Sequence, residues 1–370
     1  MSKFGVFMWE PCLSPHKIDL FEALGRSPRI SSICYIAQEG LPLERKALGW
    51  SLPEALTGHF IIEPSETRVD ELIANSPPEA VHIFSGIHSP PCIVQGIAAA
   101  IRHKKRFGIM SEPRAFDGAK GWLRFAHSWA TEGEVRRNVD FVLAIGRHGP
   151  PWFASVGYDR TKIFPFAYFL PLKEAPRKQR AGPQQVNYLG RLTSRKGFDL
   201  LLDALPLLRN EIKCEIAGAG CGEARVGAVR LRTGKAPLYR GVLPMDEVPD
   251  FLAQTDILVA PSIVKDDGWN AVISEALLQG AAVVTTDRVG ASICLDAAWR
   301  GRVISKLTPA ELAGAIDNVI DRDQLDDGSR QRRALWARNR LTGEAGARCL
   351  LETLSFVYNS APRPEPFYAD

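Results

Sequence analysis

The stretch "DDGWNAVISE" (266–275) places two carboxylates, Asp267 and Glu275, around a glycine and an incipient helix, between the strand-like "DILVAPS" and the apolar "ALLQGAAVV". A helix starting near Trp269 or Asn270 turns its free N–H groups toward whatever lies beyond the preceding strand, and those groups favour an anion. Glu275 then falls about one and a half turns in, where a carboxylate accepts hydrogen bonds from two adjacent hydroxyls, as on a ribose. Asp267 precedes the helix and either reaches sugar hydroxyls or caps the helix. For Glu275 the alternative is a partly buried acid paired with an arginine. A second stretch of the same kind is "YLGRLTSRKGFDLLLDAL", in which a strand ends at Gly190, Arg191 and Lys196 occupy the loop, and Gly197 opens a helix. Free N–H groups flanked by two cations suit a diphosphate; a plain strand–helix turn with exposed basic residues is the other reading. In "EIAGAGCGEARV", Gly218, Gly220 and Gly222 follow a strand. They permit close approach by a nucleotide or simply make a turn. No acid stands about 20 residues on, so the dinucleotide fingerprint is not met.

The elements that must position these residues alternate almost from end to end. "KFGVFMW", "SSICYIA", "AVHIFS", "RFGIMS", "DFVLAIG" and "KIFPFAY" read as strands, with helical patterns in "SPHKIDLFEALGR", "RVDELIANS" and "PCIVQGIAAAIRHK". The strands are near-continuous apolar runs, as expected for parallel strands covered on both faces. After the polar, proline-containing "LKEAPRKQRAGPQQ" the alternation restarts with "QVNYLGRL", "IKCEIAGAG", "PLYRGVL", "DILVAPS", "AAVVTT" and "GRVIS". Helices are expected near 197–209, 245–254, 270–279 and 308–321. This predicts an α/β protein with two Rossmann-like, doubly wound domains facing across a cleft. The expected divisions are 1–172, a linker at 173–184, a second domain at 185–342, and a C-terminal helix and tail at 343–370 that crosses back to the first domain. Two domains also match the prior for 370 residues.

Composition narrows the classes. The seven cysteines are scattered and never form a CxxC pair, which argues for reduced thiols in a cytoplasmic protein. No apolar run approaches the roughly 18 residues of a membrane span, and "MSKFGVFMWEP" meets an acid at Glu10, too soon for a secretion signal. Net charge is +4, with the basic excess concentrated between residues 101 and 180. Such a region suits phosphates, an anionic membrane face or a solvated surface. No aromatic-glycine RNA motif, zinc-finger spacing or basic-region heptad is present, so nucleic acid is not an expected partner.

"GRLTSRKGFDLLLDAL", "IAGAG" and "DILVAPSIVKDDGWNAVISEALLQGAAVVTT" together resemble, in order and spacing, the C-terminal half of the family-4 retaining glycosyltransferases of the GT-B fold. That family shows G-R-L-x-x-x-K-G, a G-x-G loop, and P-S-x-x-E-G-F-G-x-x-x-x-E-A before an apolar strand. The resemblance implies that Arg191 and Lys196 clamp the diphosphate of a nucleoside-diphosphate sugar and that Glu275 holds its ribose. It further implies that Gly268, Trp269 and Asn270 present backbone amides to phosphate and donor sugar, that Gly190, Gly218 and Gly220 border the donor, and that Gly241, Val242 and Leu243 lie near the base. The implied reaction retains the anomeric configuration, by front-face displacement assisted by the departing diphosphate. Cations on the leaving group then supply much of the catalysis, and no metal is implied. Departures are Asp267 in place of the family's first glutamate, Trp269-Asn270 in place of Phe-Gly, and a single glycine, Gly290, in "DRVGA".

The N-terminal half lacks the family's glycine-rich first loop and has "EPCLSPHKIDLFEAL" instead. His16 there contacts an acceptor or packs. His88, after "VHIFS", and Glu112 and Arg114, in "MSEPR", should face the cleft; many relatives have a donor-contacting histidine at about the Glu112 position. In "AKGWLRFAHSWATEGEVRRN", Trp122, Phe125 and Trp129 share one helix face near Arg124, Arg136 and Arg137. That face either meets a membrane surface or lipid-linked acceptor, or packs inward. The expected activity is transfer from a nucleotide sugar to a glycan or lipid-linked acceptor in polysaccharide or glycoconjugate biosynthesis. The acting residues would be Arg191, Lys196, Asp267 and Glu112, in the cytoplasm or on the inner membrane face. The competing readings are a nucleotide-sugar 2-epimerase-like isomerase and a non-catalytic nucleotide-sugar-binding protein.

Overall fold

Apolar strands that hide both faces need helices on each side, and the chain folds accordingly. The computed structural model describes residues 3–47, 49–50, 58–178 and 182–369. These fall into two compact units, one of residues 1–171 with 340–369, the other of residues 172–339.

The first unit is built on seven strands: β1 (Phe4–Cys12), β2 (Ile30–Glu39), β3 (His59–Ile62), β4 (Ala80–Phe84), β5 (Arg106–Ser111), β6 (Phe141–Ile145) and β7 (Ile163–Phe166). All pair in parallel, in the order β3-β2-β1-β4-β5-β6-β7. β4 and β6 are buried along their whole length. β3 was not anticipated. It is a short edge strand whose four residues are only partly covered, so no apolar run marks it. Helix Gly343–Asn359 returns to this unit. Its first N–H donates to Asp19 Oδ2 at 2.8 Å, and Arg26 pairs with Glu344 at 2.8 Å. Phe356 packs edge-on against Phe164 of β7, and the Tyr358 hydroxyl donates to Asp140 at 2.7 Å.

The second unit has six parallel strands: β8 (Gln184–Leu189), β9 (Ile212–Ala217), β10 (Leu238–Gly241), β11 (Ile257–Ala260), β12 (Ala282–Thr286) and β13 (Gly301–Ile304). Their order is β10-β9-β8-β11-β12-β13. Val186, Ile216, Val259, Val284 and Ile304 meet helix residues Phe198, Leu201, Leu312 and Ile316 in one apolar core. The expected linker is not a solvated spacer over its first half. Arg177 pairs with buried Asp256 at 2.7 Å, and Gln279 and Gln254 donate to the carbonyls of Lys173 and Pro176. Residues 179–181 of that stretch lie outside the described residues.

Helix Asp327–Leu341 was also not anticipated. Its inward positions include Arg330 and Arg333, both buried, which hide the apolar period from the sequence. Arg330 donates to the carbonyls of Ala253, Thr255 and Gln279, and Arg333 to those of Gly280, Trp299 and Gln324. These carbonyls close the ends of neighbouring elements, where no backbone donor is in reach. Burial holds the Arg330 guanidinium down at about 9.

Candidate functional site

In each unit the strand order reverses once, between β1 and β4 and between β8 and β11. Loops diverge at such a point, and a crevice opens beyond the carboxyl ends of the strands. In the second unit the turn after β8 (Gly190–Gly197) and the segment after β11 (Pro261–Asn270) meet there. Ile263 N and Ser262 Oγ both donate to the Arg195 carbonyl, at 3.1 and 2.9 Å. Arg195 pairs with Asp266 at 2.8 Å, and Lys196 Nζ pairs with Asp267 Oδ1. Gly197 makes this approach possible: its φ is +69°, and an added Cβ would sit 1.8 Å from the Pro261 carbonyl. Lys196 and Asp267, expected to meet different parts of a ligand, are therefore bound to each other.

The second oxygen of Asp267 accepts from Asn270 Nδ2 at 3.1 Å. Asn270 itself, at φ +60°, ends the turn, and the helix starts at Ala271, without a side-chain cap from Asp267. Trp269 is 1% exposed, and its indole donates to Ser274 Oγ at 2.9 Å, so only its backbone faces outward chemistry. The carbonyls of Gly268 and Trp269 accept from Gly290 and Ala291 at 2.8 and 3.1 Å, which ties the turn to the segment after β12. Glu275 is half-buried by accessible surface but deep among protein atoms. The resulting desolvation pushes its carboxyl up to about 7, opposed by the Lys173 ammonium.

The loops after β8, β9 and β10 pack edge to edge. Gly218, at φ +132°, leaves no room for a side chain, since a Cβ would lie 1.9 Å from the Gly190 carbonyl; its N–H donates to the Gly241 carbonyl at 2.7 Å. A Cβ on Gly220 would likewise meet the Leu192 carbonyl at 2.5 Å. The G-x-G glycines thus serve loop-on-loop packing, which accounts for them without a nucleotide. Tyr188 donates to the Arg191 carbonyl at 2.7 Å and fixes the loop, while the Arg191 side chain is exposed. Val242 is exposed and Leu243 partly so, just past β10. The one Asp-x-Asp of the chain, Asp321–Asp323, closes a helix, where Asp321 pairs with Arg209 and accepts from Asn210.

In the first unit the carboxyl ends of β1, β4 and β5 carry a polar cluster that the sequence reading only half found. Glu112 hydrogen-bonds the Tyr168 hydroxyl, which burial and that carboxylate hold well above its ordinary range. Beside them Glu10, 2% exposed, accepts from Ser85 Oγ at 2.6 Å and pairs with Lys17 at 3.4 Å. The Lys17 ammonium also lies 4.9 Å from the centre of the Tyr168 ring. The available signal was an acid inside the otherwise apolar "FGVFMWEPC". His16 stands edge-on to Trp50 at 4.7 Å, in packing contact.

His88 and Arg114, separate candidates in sequence, are joined through residues that were not singled out. His88 Nε2 lies 2.7 Å from Glu132 Oε1, and Glu132 Oε2 accepts from Tyr158 at 2.8 Å. Arg114 donates to Ser128 Oγ and reaches His127 Nδ1, both at 3.1 Å. Glu132 and Ser128 are fully buried; their distance in sequence from His88 conceals the link.

Two parallel, helix-covered sheets with single order reversals define the GT-B class of α/β proteins, and solved structures agree. The chain superposes on Anabaena Alr3699/HepE in complex with UDP with a TM-score of 0.71, at 16% identity, covering 95% of this chain and 100% of that one. On the lipopolysaccharide outer core galactosyltransferase WaaB in its apo form the TM-score is 0.68, at 14% identity, covering 95% and 99%. Within that fold, residues 183–322 match the family of Glycosyl transferases group 1, so the loops after β8 and β11 lie in a group 1 glycosyl transferase segment. Glycogen synthase of Mycobacterium tuberculosis is 31% identical over 196 residues, 52% of this chain and 46% of that protein. The 2-deoxystreptamine glucosyltransferase of Streptomyces kanamyceticus is 26% identical over 181 residues, 45% of this chain and 44% of that one. The chain thus spans about half the length of these curated relatives.

Proposed function

We propose that the protein transfers a sugar from a nucleoside-diphosphate sugar to a glycan or lipid-linked acceptor, with retention of anomeric configuration, in polysaccharide or glycoconjugate biosynthesis. The observation that carries this reading is the pairing of Lys196 with Asp267 at the order reversal between β8 and β11, inside the segment matched by the group 1 family. A cation held by a replaceable carboxylate, with exposed Arg191 on the same loop, is suited to exchanging that carboxylate for a diphosphate. Uridine diphosphate is the favoured nucleotide to test, since fold neighbours are complexes with UDP and UDP-glucose.

In this mechanism Lys196 leaves Asp267 as the diphosphate arrives, and with Arg191 it neutralises charge on the departing phosphate. Asp267, still held by Asn270, is released to accept from donor-sugar hydroxyls. Glu275, once ionised, accepts from the two ribose hydroxyls. The backbone N–H groups at Gly268–Asn270 face the phosphates, and Gly241–Leu243 border the base. Glu112, positioned by Tyr168, meets the donor sugar from the first unit. No metal is required, so EDTA should leave UDP affinity unchanged.

Calorimetry tests the site. Replacing Lys196 or Glu275 by Ala should weaken UDP binding at least about tenfold, ~1.4 kcal/mol. Unchanged affinity in both variants rejects the assignment. Turnover of donor without any acceptor would favour the isomerase reading instead.

A further inference from the structure

We propose that His88 and His127, set by Glu132 and Arg114, form a subsite in the first unit that recognises neutral saccharide hydroxyls of the acceptor. This deepens the transferase reading and rests on it. His88 lies just beyond β4, at the order reversal of that sheet, and Arg114 just beyond β5. Both imidazoles are accessible: the His88 side chain is 34% exposed, and His127 is exposed.

The hydrogen-bond partners fix where each proton sits. Burial acts to raise the Glu132 carboxyl, but hydrogen bonds from His88, Ser128 and Tyr158 outweigh it and hold the group below its ordinary range. An ionised carboxylate only accepts, so His88 Nε2 must carry the proton it donates, and Nδ1 keeps a lone pair. His127 has the opposite kind of partner. A guanidinium only donates, so Arg114 at 3.1 Å takes the lone pair of Nδ1 and leaves the proton of His127 on Nε2. Two rings in the same tautomer thus present opposite atoms, an acceptor on His88 and a donor on His127. Their centroids are 5.1 Å apart, tilted by 64°.

A saccharide hydroxyl gives one hydrogen bond and takes others, which this pair answers. A phosphate or carboxylate wants donors throughout, and Nδ1 of His88 is not one. Arg114 also donates to Ser128, which in turn hydrogen-bonds Glu132, so a single chain Arg114–Ser128–Glu132–His88 sets both rings. Glu132 is a positioning residue in this scheme, since its buried carboxylate touches His88 and not the ligand.

The test uses the full chain labelled with nitrogen-15 in histidine, observed by NMR at pH 7.5. His88 and His127 should both be neutral with the proton on Nε2. Methyl α-glucopyranoside or methyl α-galactopyranoside should shift both rings saturably, and inorganic phosphate should not. His88→Gln retains a donor for Glu132 but loses the outward acceptor, so it should weaken glycoside binding at least about tenfold. Glu132→Gln should leave His88 a mixture of tautomers. A doubly protonated ring, shifts with phosphate but not with glycosides, no shift with either glycoside, or undiminished glycoside binding by His88→Gln would each overturn the proposal. UDP binding, measured separately on the same samples, reports on the transferase reading and does not depend on these rings.

Discussion

Lys196 is worth more to a ligand when Asp267 competes less for it. The pair is partly buried, with side chains 20% and 7% exposed, so its attraction is only partly screened. Asp267→Asn should therefore tighten UDP binding about fivefold, ~1 kcal/mol, by releasing the ammonium and removing a like charge from the diphosphate. Turnover should fall in the same variant, because the neutral amide is a poorer acceptor for donor-sugar hydroxyls. Calorimetry and initial rates separate the two effects, and weaker UDP binding by Asp267→Asn would contradict this account. Glu275 adds a pH dependence. Its carboxyl is raised in the folded chain from 4.5 to about 7, so the native state holds a proton that the unfolded chain has lost. Its contribution to stability is therefore largest at low pH, declines as pH rises through that window, and remains unfavourable above it. Glu275→Gln should raise stability relative to wild type at pH 8 more than at pH 5, read by denaturant midpoints. Binding runs the other way, since ribose needs the ionised form. UDP affinity should fall from pH 8 to pH 6, more steeply in wild type than in Glu275→Gln, the variant serving to subtract the titration of the nucleotide itself.

At the scale of elements, the turn Ser194–Gly197 and the segment after β11 act as one block, because the backbone of one touches the backbone of the other. Gly197→Ala would force a Cβ into the Pro261 carbonyl at a left-handed φ, which should cost at least about 2 kcal/mol and displace Lys196. A lowered urea midpoint together with weakened UDP binding is the expected result. Helix Gly118–Thr131 shows a different division from the one its spacing suggested. Phe125 turns inward toward Trp152, whereas Trp122 and Leu123 are 68% and 61% exposed and Trp129 lies under the Arg136 guanidinium. The proposed membrane contact belongs to this exposed part, next to Lys120 and Arg124. Trp122→Ala with Leu123→Ala should reduce sedimentation with anionic vesicles at least about tenfold without altering UDP affinity; equal binding to neutral vesicles would argue against an electrostatic share. No described helix is long and apolar enough to cross a membrane.

At the scale of the whole molecule, the two units are not two halves of the chain. Residues 340–369 complete the first unit, covering Phe4, Leu20 and Phe164 with a helix that follows the entire second unit in sequence. Ending the chain at Asn339 should leave that apolar surface open and produce aggregation, seen by light scattering. Much of this protein was legible beforehand. Alternating apolar strands and helices, set by local periodicity, determined two parallel sheets, and the loops after β8 and β11 stood out because glycines and charges cluster there. Edge strand β3 and helix Asp327–Leu341 stayed hidden, since one is hardly buried and the other buries arginines. Tertiary structure alone decided that Lys196 meets Asp267, that the indole of Trp269 turns inward, and that Gly218 serves a neighbouring loop. It alone joined His88 to Glu132 and Glu10 to Lys17. Periodicity is a property of neighbouring residues, whereas an ion pair or a tautomer depends on which distant side chains the fold brings within hydrogen-bonding distance.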